Sequence, residues 1–153
     1  MSDSLQFQKA IKAYGGKPGK PSPELLTFLR EKQVSDEAVA FLTGYAVEKS
    51  AFIGPVDFYA EDGWIGANSP DYIPIALRDG LLIVGTCPNG DPVAVDVRDK
   101  LGEAGYIGHE KMWKVSNVRE AFAVIAPGLG ALAYGLDQDQ VPVDYYEAIS
   151  KNK

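Results

Sequence analysis

The sequence predicts an α+β domain in which an antiparallel β meander lies between N-terminal and C-terminal helices. Three observations lead there. Apolar residues recur at helical spacing through the first third of the chain, behind serines suited to capping. From residue 56 onward, short runs rich in Val and Ile alternate at the period of a strand. The connections between those runs are short and hold Gly, Asn, Asp and Pro, whereas a parallel pair needs a crossover of about a dozen residues or more.

The elements follow in chain order. Leu5, Phe7, Ala10, Ile11 and Tyr14 describe a first helix over 5–14 with Ser4 as its cap. Gly15, Gly16, Pro18, Gly19, Pro21 and Pro23 then break the pattern, so 1–23 reads as a helix and a Gly/Pro-rich loop. Ser22 caps a second helix, with Pro23 at its first position and Leu25, Leu26, Phe28 and Leu29 on its apolar side. Ser35 opens a third, where Asp36 and Glu37 suit the positive end of the helix dipole. Val39, Phe41, Leu42, Tyr45 and Ala46 carry its apolar side, and 24–50 reads as helical throughout.

An antiparallel sheet is expected over 54–110. Residues 56–59 form its first strand, and 72–77 a second with Ile73, Ile75 and Leu77 on one side. Pro74 within it points to an edge or a bulge. Asp79-Gly80 is a two-residue hairpin signal. Leu81 to Val84 is apolar on both sides, as a covered central strand is. After the turn Pro88-Asn89-Gly90-Asp91-Pro92, Val93, Val95 and Val97 alternate with Ala94, Asp96 and Arg98, which predicts one buried and one wet face. A polar loop over 99–105 leads to a last strand at 106–109. The segment 116–150 reads as helical: Ser116 or Asn117 caps a helix through Val118, Phe122 and Ile125, Pro127-Gly128 interrupts it, 129–136 resumes it, and 144–150 closes the chain.

With 153 residues, the chain is expected to form a single domain spanning 1–153. No run of about 18 apolar residues crosses a membrane. The start Met1-Ser2-Asp3-Ser4-Leu5-Gln6 lacks the pattern of a secretion signal, and a lone Cys87 fits a reducing cytoplasm, the compartment expected. A net charge of −6 argues against nucleic acid and anionic membranes as partners, since both attract Lys and Arg. The charge is uneven: residues 51–110 hold ten acidic side chains against three basic ones, a local balance of −7. Such a surface serves solubility, or it docks a basic partner.

The chemistry the residues supply is limited. His109 is the only histidine, so a metal site built on several histidines is excluded, and neither a metal nor a cofactor is expected. His109 reads as a hydrogen-bonding residue at a strand end, and Cys87 as a small buried hydrophobe. Gly128-Leu129-Gly130-Ala131-Leu132-Ala133 matches the glycine fingerprint of dinucleotide sites. That fingerprint needs a strand before it and an acid about 20 residues after it, and here the preceding segment starts as a helix. The glycines are expected to let a helix pack closely instead. Paired carboxylates, as at Glu61-Asp62 and near Asp96 and Asp99, would serve a hydrolase only across a cleft.

One stretch resembles a known family. Ile73-Pro74-Ile75-Ala76, Asp79-Gly80, Ile83-Val84-Gly85 and Asn89-Gly90-Asp91-Pro92-Val93-Ala94-Val95-Asp96 are similar to the central block of the SUKH superfamily. His109-Glu110 and the run from Val118 to Phe122 resemble the family's later strand end and helix, so the likeness covers about residues 54–125. The resemblance implies an antiparallel α+β fold and a non-enzymatic role. Bacterial members look like immunity proteins that neutralise secreted toxins, often nucleases, and fungal members like regulators of cell-wall glucan synthesis. The leading expectation is therefore an immunity-type binder of a basic toxin. A regulatory or scaffold protein of cell-wall or polysaccharide synthesis is the alternative, followed by a hydrolase using the carboxylates and His109. The expected binding residues are Asp79, Asp91, Asp96, Asp99 and Glu110 on turns and the wet strand face, with Trp64, Tyr106 and Trp113 as aromatic anchors. Whether Trp64 and Trp113 are core or interface stays open at this stage, since Trp is usually largely buried.

Overall fold

A computed structural model describes residues 1–69 and 76–151 of the chain. Serine capping sets the N-terminal helices. In α1 (Asp3–Ala13) the cap is Ser2, whose hydroxyl accepts from the Leu5 amide, rather than Ser4 as expected. Ser22 and Ser35 cap α2 (Pro23–Glu31) and α3 (Asp36–Leu42) as the sequence predicts, accepting from Leu25 and Ala38. A 3-10 turn, Thr43–Tyr45, follows α3.

The helical reading of 24–50 ends there. The strand β1 (Lys17–Pro18), inside the Gly/Pro-rich loop, pairs antiparallel with β2 (Val47–Lys49). Gly16 permits this approach, because a Cβ on it would stand 2.8 Å from the Lys49 carbonyl oxygen and from the Ala51 side chain. Val47 is buried while Glu48 and Lys49 are exposed, a boundary that a helical reading hides.

The main sheet runs β3 (Ala51–Ile53), β4 (Val56–Phe58), β5 (Leu81–Thr86), β6 (Pro92–Asp96), β7 (Ala104–Ile107) and β8 (Phe122–Ala126), in that spatial order and antiparallel throughout. The protein is α+β with antiparallel sheets, and the meander extends beyond both ends of the expected 54–110. Between β4 and β5 the chain forms α4 (Glu61–Ala67), which the sequence reading did not anticipate. Of the strand expected over 72–77, residues 72–75, and with them Ile73-Pro74-Ile75, lie outside the described residues. Ala76 and Leu77 belong to the 3-10 turn Ala76–Asp79. Asp79-Gly80 is accordingly not a hairpin. Gly80 takes a positive φ of 86° to leave that turn, and its carbonyl accepts from Val97.

Another correction concerns 116–126. Asn117 does cap, in a reciprocal box with Glu120, but the helix lasts only through the 3-10 turn Val118–Ala121 before becoming β8. The vacant side of β7 decides this. Gly105 on β7 brings the Ala123 carbonyl so close that a Cβ there would overlap it, and the edge strand gains ladder hydrogen bonds that a lone helix would lack.

Both faces of the sheet are covered. Leu82, Val84, Val93, Val95, Val97 and Tyr106 face the core shared with Phe7 and Ile11 of α1, Leu25 and Leu29 of α2, and α5 (Leu129–Asp137). On the opposite face Leu81, Ile83, Ala94 and Ile107 pack beneath Ala76, Met112, Val118 and Ala121, which belong to 3-10 turns. Every residue of β6 is buried, so the wet face expected for that strand does not exist. The last helix is α6 (Tyr145–Lys151). Among the described residues no helix is long and apolar enough to cross a membrane.

The Gly128-x-Gly130 segment holds an anion from the chain itself. The Asp3 carboxylate accepts from the Gly130 and Ala131 amides at the start of α5, each at 2.9 Å, and from the Tyr45 hydroxyl at 2.7 Å. A Cβ at Gly128 would overlap the Asp3 carboxylate, and one at Gly130 the Asp3 backbone oxygen. The glycines therefore admit α1 against α5. Asp3→Ala should lower stability by about 2 kcal/mol, the scale of a lost cap with further unmade hydrogen bonds, and Gly130→Ala should cost a similar amount through overlap. Urea denaturation of both variants measures this, and unchanged midpoints would remove Asp3 from the packing.

Candidate functional site

Three of the acids expected on the surface point inward. Asp91 is fully buried at the end of the turn before β6. Its Oδ1 accepts from the His109 amide at 2.9 Å and sits 2.5 Å from His109 Nδ1, while Oδ2 accepts from the amide of Tyr145 and the side chain of Asn89, both at 2.9 Å. Asp96, also fully buried, accepts from the amides of Arg98, Asp99 and Lys100 and pairs with Arg119 Nη2 at 2.5 Å. Asp79 accepts from the Val118 amide at 2.9 Å and pairs with Arg78. The physical reason is common to all three. Turns at strand ends carry amides that no ladder satisfies, and a carboxylate can accept several of them. Asp79, Asp91 and Asp96 are thus structural acceptors, not a wet acidic face.

Burial by itself would raise the Asp96 pKa, but the Arg119 guanidinium and the three amides outweigh it and hold the carboxyl at about 2. Burial likewise opposes ionisation of Asp79, and Arg78, the Val118 amide and Arg98 together bring its pKa below the usual value.

Two of the aromatic candidates are core. Trp64 on α4 is buried, with its indole N–H donating to the Tyr59 carbonyl. Tyr106 is fully buried on β7 and donates its hydroxyl to the Pro142 carbonyl at 2.7 Å. Their ring sizes fill the space between sheet and helices, so neither can anchor a partner. Asp99 is half exposed, but Arg98 and Arg119 engage it at 3.2 and 3.4 Å.

Glu110 and Trp113 remain outside, and the structure brings Glu110 together with two residues the sequence reading did not select, His109 and Tyr146. Asp91 fixes the His109 ring, whose Nε2 lies 3.9 Å from Glu110 Oε1. The Tyr146 ring stands edge-on to His109, with centroids 6.3 Å apart, and its hydroxyl is 3.5 Å from Glu110 Oε2. Tyr145 packs edge-on against Tyr146 and accepts from Lys111. The 3-10 turn Lys111–Trp113 inserts Met112 into the second core cluster and donates the Met112 amide to the Gly108 carbonyl. That leaves Trp113 projecting, 64 % exposed. The signal for Tyr146 was the Tyr145-Tyr146 pair after Asp144, but nothing in the sequence joins it to His109, 37 positions earlier, because the joint is made by Asp91.

This arrangement presents an aromatic and acidic surface on a rigid base. The buried carboxylates hold amides and guanidinium groups, so they do not form the open acid pair of a hydrolase. Burial and the charges of Asp91 and Asp144 push the Cys87 thiol pKa up, away from a nucleophilic thiolate. Among the described residues, no group of three or more His, Cys, Asp or Glu side chains is placed to hold a metal. No family model matches the chain, and no curated protein or solved structure matches it.

The Asp96 carboxyl has a testable consequence. Its folded pKa of about 2 lies below its unfolded value, so its contribution to stability is fully present above pH 4 or so and is lost as pH falls through about 2. That loss amounts to about 2 kcal/mol. Urea midpoints of the wild type and Asp96→Asn should therefore converge between pH 4 and pH 2. A constant difference over that range would contradict the role given to the ionised carboxylate.

Proposed function

We propose that the chain is a non-enzymatic protein-binding module of the immunity type, one that neutralises a basic secreted toxin, for instance a nuclease, inside the cytoplasm of the producing cell. The carrying observation is Trp113, an exposed indole on a turn anchored by Met112 and preceded by Glu110, whose carboxylate lies within reach of the Tyr146 hydroxyl. Large rigid aromatics at the centre of a contact supply most of its binding energy, and flanking acids speed encounter with a basic partner. The net charge of −6 favours such a partner at long range. The SUKH-like residues between 76 and 122, together with the antiparallel sheet they occupy, support the same reading. A regulator or scaffold of cell-wall synthesis would use the same kind of surface, and the identity of the neighbouring reading frames separates the two: a large secreted toxin beside this gene supports the immunity role.

The test is protection of cells that express the adjacent toxin-like reading frame. Wild-type chain should protect them. Trp113→Ala should leave the denaturation midpoint within about 0.5 kcal/mol, as expected for an exposed side chain, while weakening toxin binding about 30-fold, the scale of a hot spot. Glu110→Lys should mainly slow association, with a smaller effect at high salt. Binding measured by surface plasmon resonance and protection at full strength in Trp113→Ala would exclude this surface, and absence of protection by the wild type would overturn the immunity reading.

A further inference from the structure

We propose that Phe52 and Asp57 form an arginine-binding subsite on the outer face of the sheet, made to receive a guanidinium group of the basic partner. The identity of that partner rests on the immunity reading, whereas the chemistry of the subsite stands on the residues themselves.

The pairing of β3 with β4 sets Phe52 directly opposite Asp57, and the pairing of β4 with β5 sets Asp57 opposite Thr86. Their neighbours Ala51, Ile53, Val56 and Phe58 turn into the main core, so Phe52 and Asp57 share the other face. Phe52 is 61 % exposed there, on the strand at the sheet's edge. Asp57 is partly buried, and its Oδ1 is out of contact with solvent without any hydrogen-bond partner. This contrasts with Asp79, Asp91 and Asp96, each of which accepts from a backbone amide and has a cationic or histidine partner. A buried polar atom without a partner is costly and rare, and where it persists it calls for an explanation such as a ligand. Burial raises the Asp57 pKa, the mark of a carboxylate that the fold itself does not compensate.

Guanidinium fits this pair better than ammonium. It is planar, carries a fork of N–H donors matched to a carboxylate, and stacks on an aromatic ring. Side chains opposite each other on paired strands have Cβ atoms about 5 Å apart, close enough for one guanidinium to lie on Phe52 and donate to Asp57. The carboxylate can turn about its soft terminal torsion to offer both oxygens. The row on this face continues from Thr86 to Pro92 of β6. The end of β7, from which the chain enters Glu110 and Trp113, is three strand spacings from β4, about 14 Å. A single protein partner can therefore span the subsite and the Trp113 surface.

The test uses the full chain, labelled with 15N, and two blocked tripeptides, tri-arginine and tri-lysine. Tri-arginine should give saturable shifts centred on the amides of 51–58 and 85–86, with tighter binding than tri-lysine. Phe52→Ala and Asp57→Asn should each weaken it about tenfold, and Glu37→Gln, at an exposed acid on α3, should leave it unchanged. Asp57→Asn should also raise the thermal midpoint, because it removes an uncompensated buried charge. A side chain kept only for structure would not combine higher stability with lost arginine binding. Shifts spread over the acidic surface, equal affinity for the two peptides, or binding untouched by Asp57→Asn would each overturn the subsite. Loss of the subsite with toxin protection intact would overturn this inference alone. Failure of wild-type protection with the subsite intact would overturn the immunity reading and leave the subsite standing.

Discussion

Asp91 has no contact with water, and its carboxylate is where three segments far apart in sequence meet: the turn before β6, the end of β7 and the start of α6. The interaction is inexpensive for the fold because both oxygens are filled by donors that the backbone must satisfy somewhere. It also decides what the surface looks like. By fixing His109 and placing α6 beside it, Asp91 sets Tyr146 and Glu110 within reach of each other and orients the turn from which Trp113 projects. An apolar residue at 91 would leave the His109 and Tyr145 amides without this acceptor and loosen the candidate surface.

The same device recurs. Asp96 gathers the amides of the 97–100 loop and ties them to Arg119, Asp79 holds the start of the Val118–Ala121 turn, and Asp3 holds the start of α5. Short strands and 3-10 turns leave more unpaired amides than long helices do, and carboxylates are the side chains best able to accept several at once. Three of the ten acids of residues 51–110, Asp79, Asp91 and Asp96, are therefore internal wiring. Asp57 departs from this pattern, since its buried Oδ1 has no donor and the Thr86 hydroxyl opposite it donates to the Cys87 carbonyl instead.

Coverage of both sheet faces follows from the connections rather than from the strands. The 3-10 turns at 76–79, 111–113 and 118–121 fold over the face opposite the helices and supply Ala76, Met112, Val118 and Ala121 as its cover. The cover is centred on β5, β6 and β7. It stops short of Phe52 and Val124 on the two edge strands, where exposed apolar side chains remain.

Local chemistry alone determined a good part of this protein. Ser22, Ser35 and Pro23 set helix starts because capping involves only neighbouring residues, and the strands at 56–58, 81–86 and 92–96 show in their own apolar patterns and turn residues. The lone His109 and Cys87 limited the available chemistry, and the exposed Glu110 and Trp113 were among the residues selected. Tertiary structure decided the rest. Whether 122–126 becomes helix or strand depends on the open edge of β7, and β2 forms only because β1 lies beside it. Asp79 and Asp91 turn inward to amides 39 and 54 positions away, and the ion pair of Asp96 is with Arg119, 23 positions away; a sequence pattern carries no distance between such groups. For the same reason the charge balance of a segment cannot say which of its acids remain free to meet a partner.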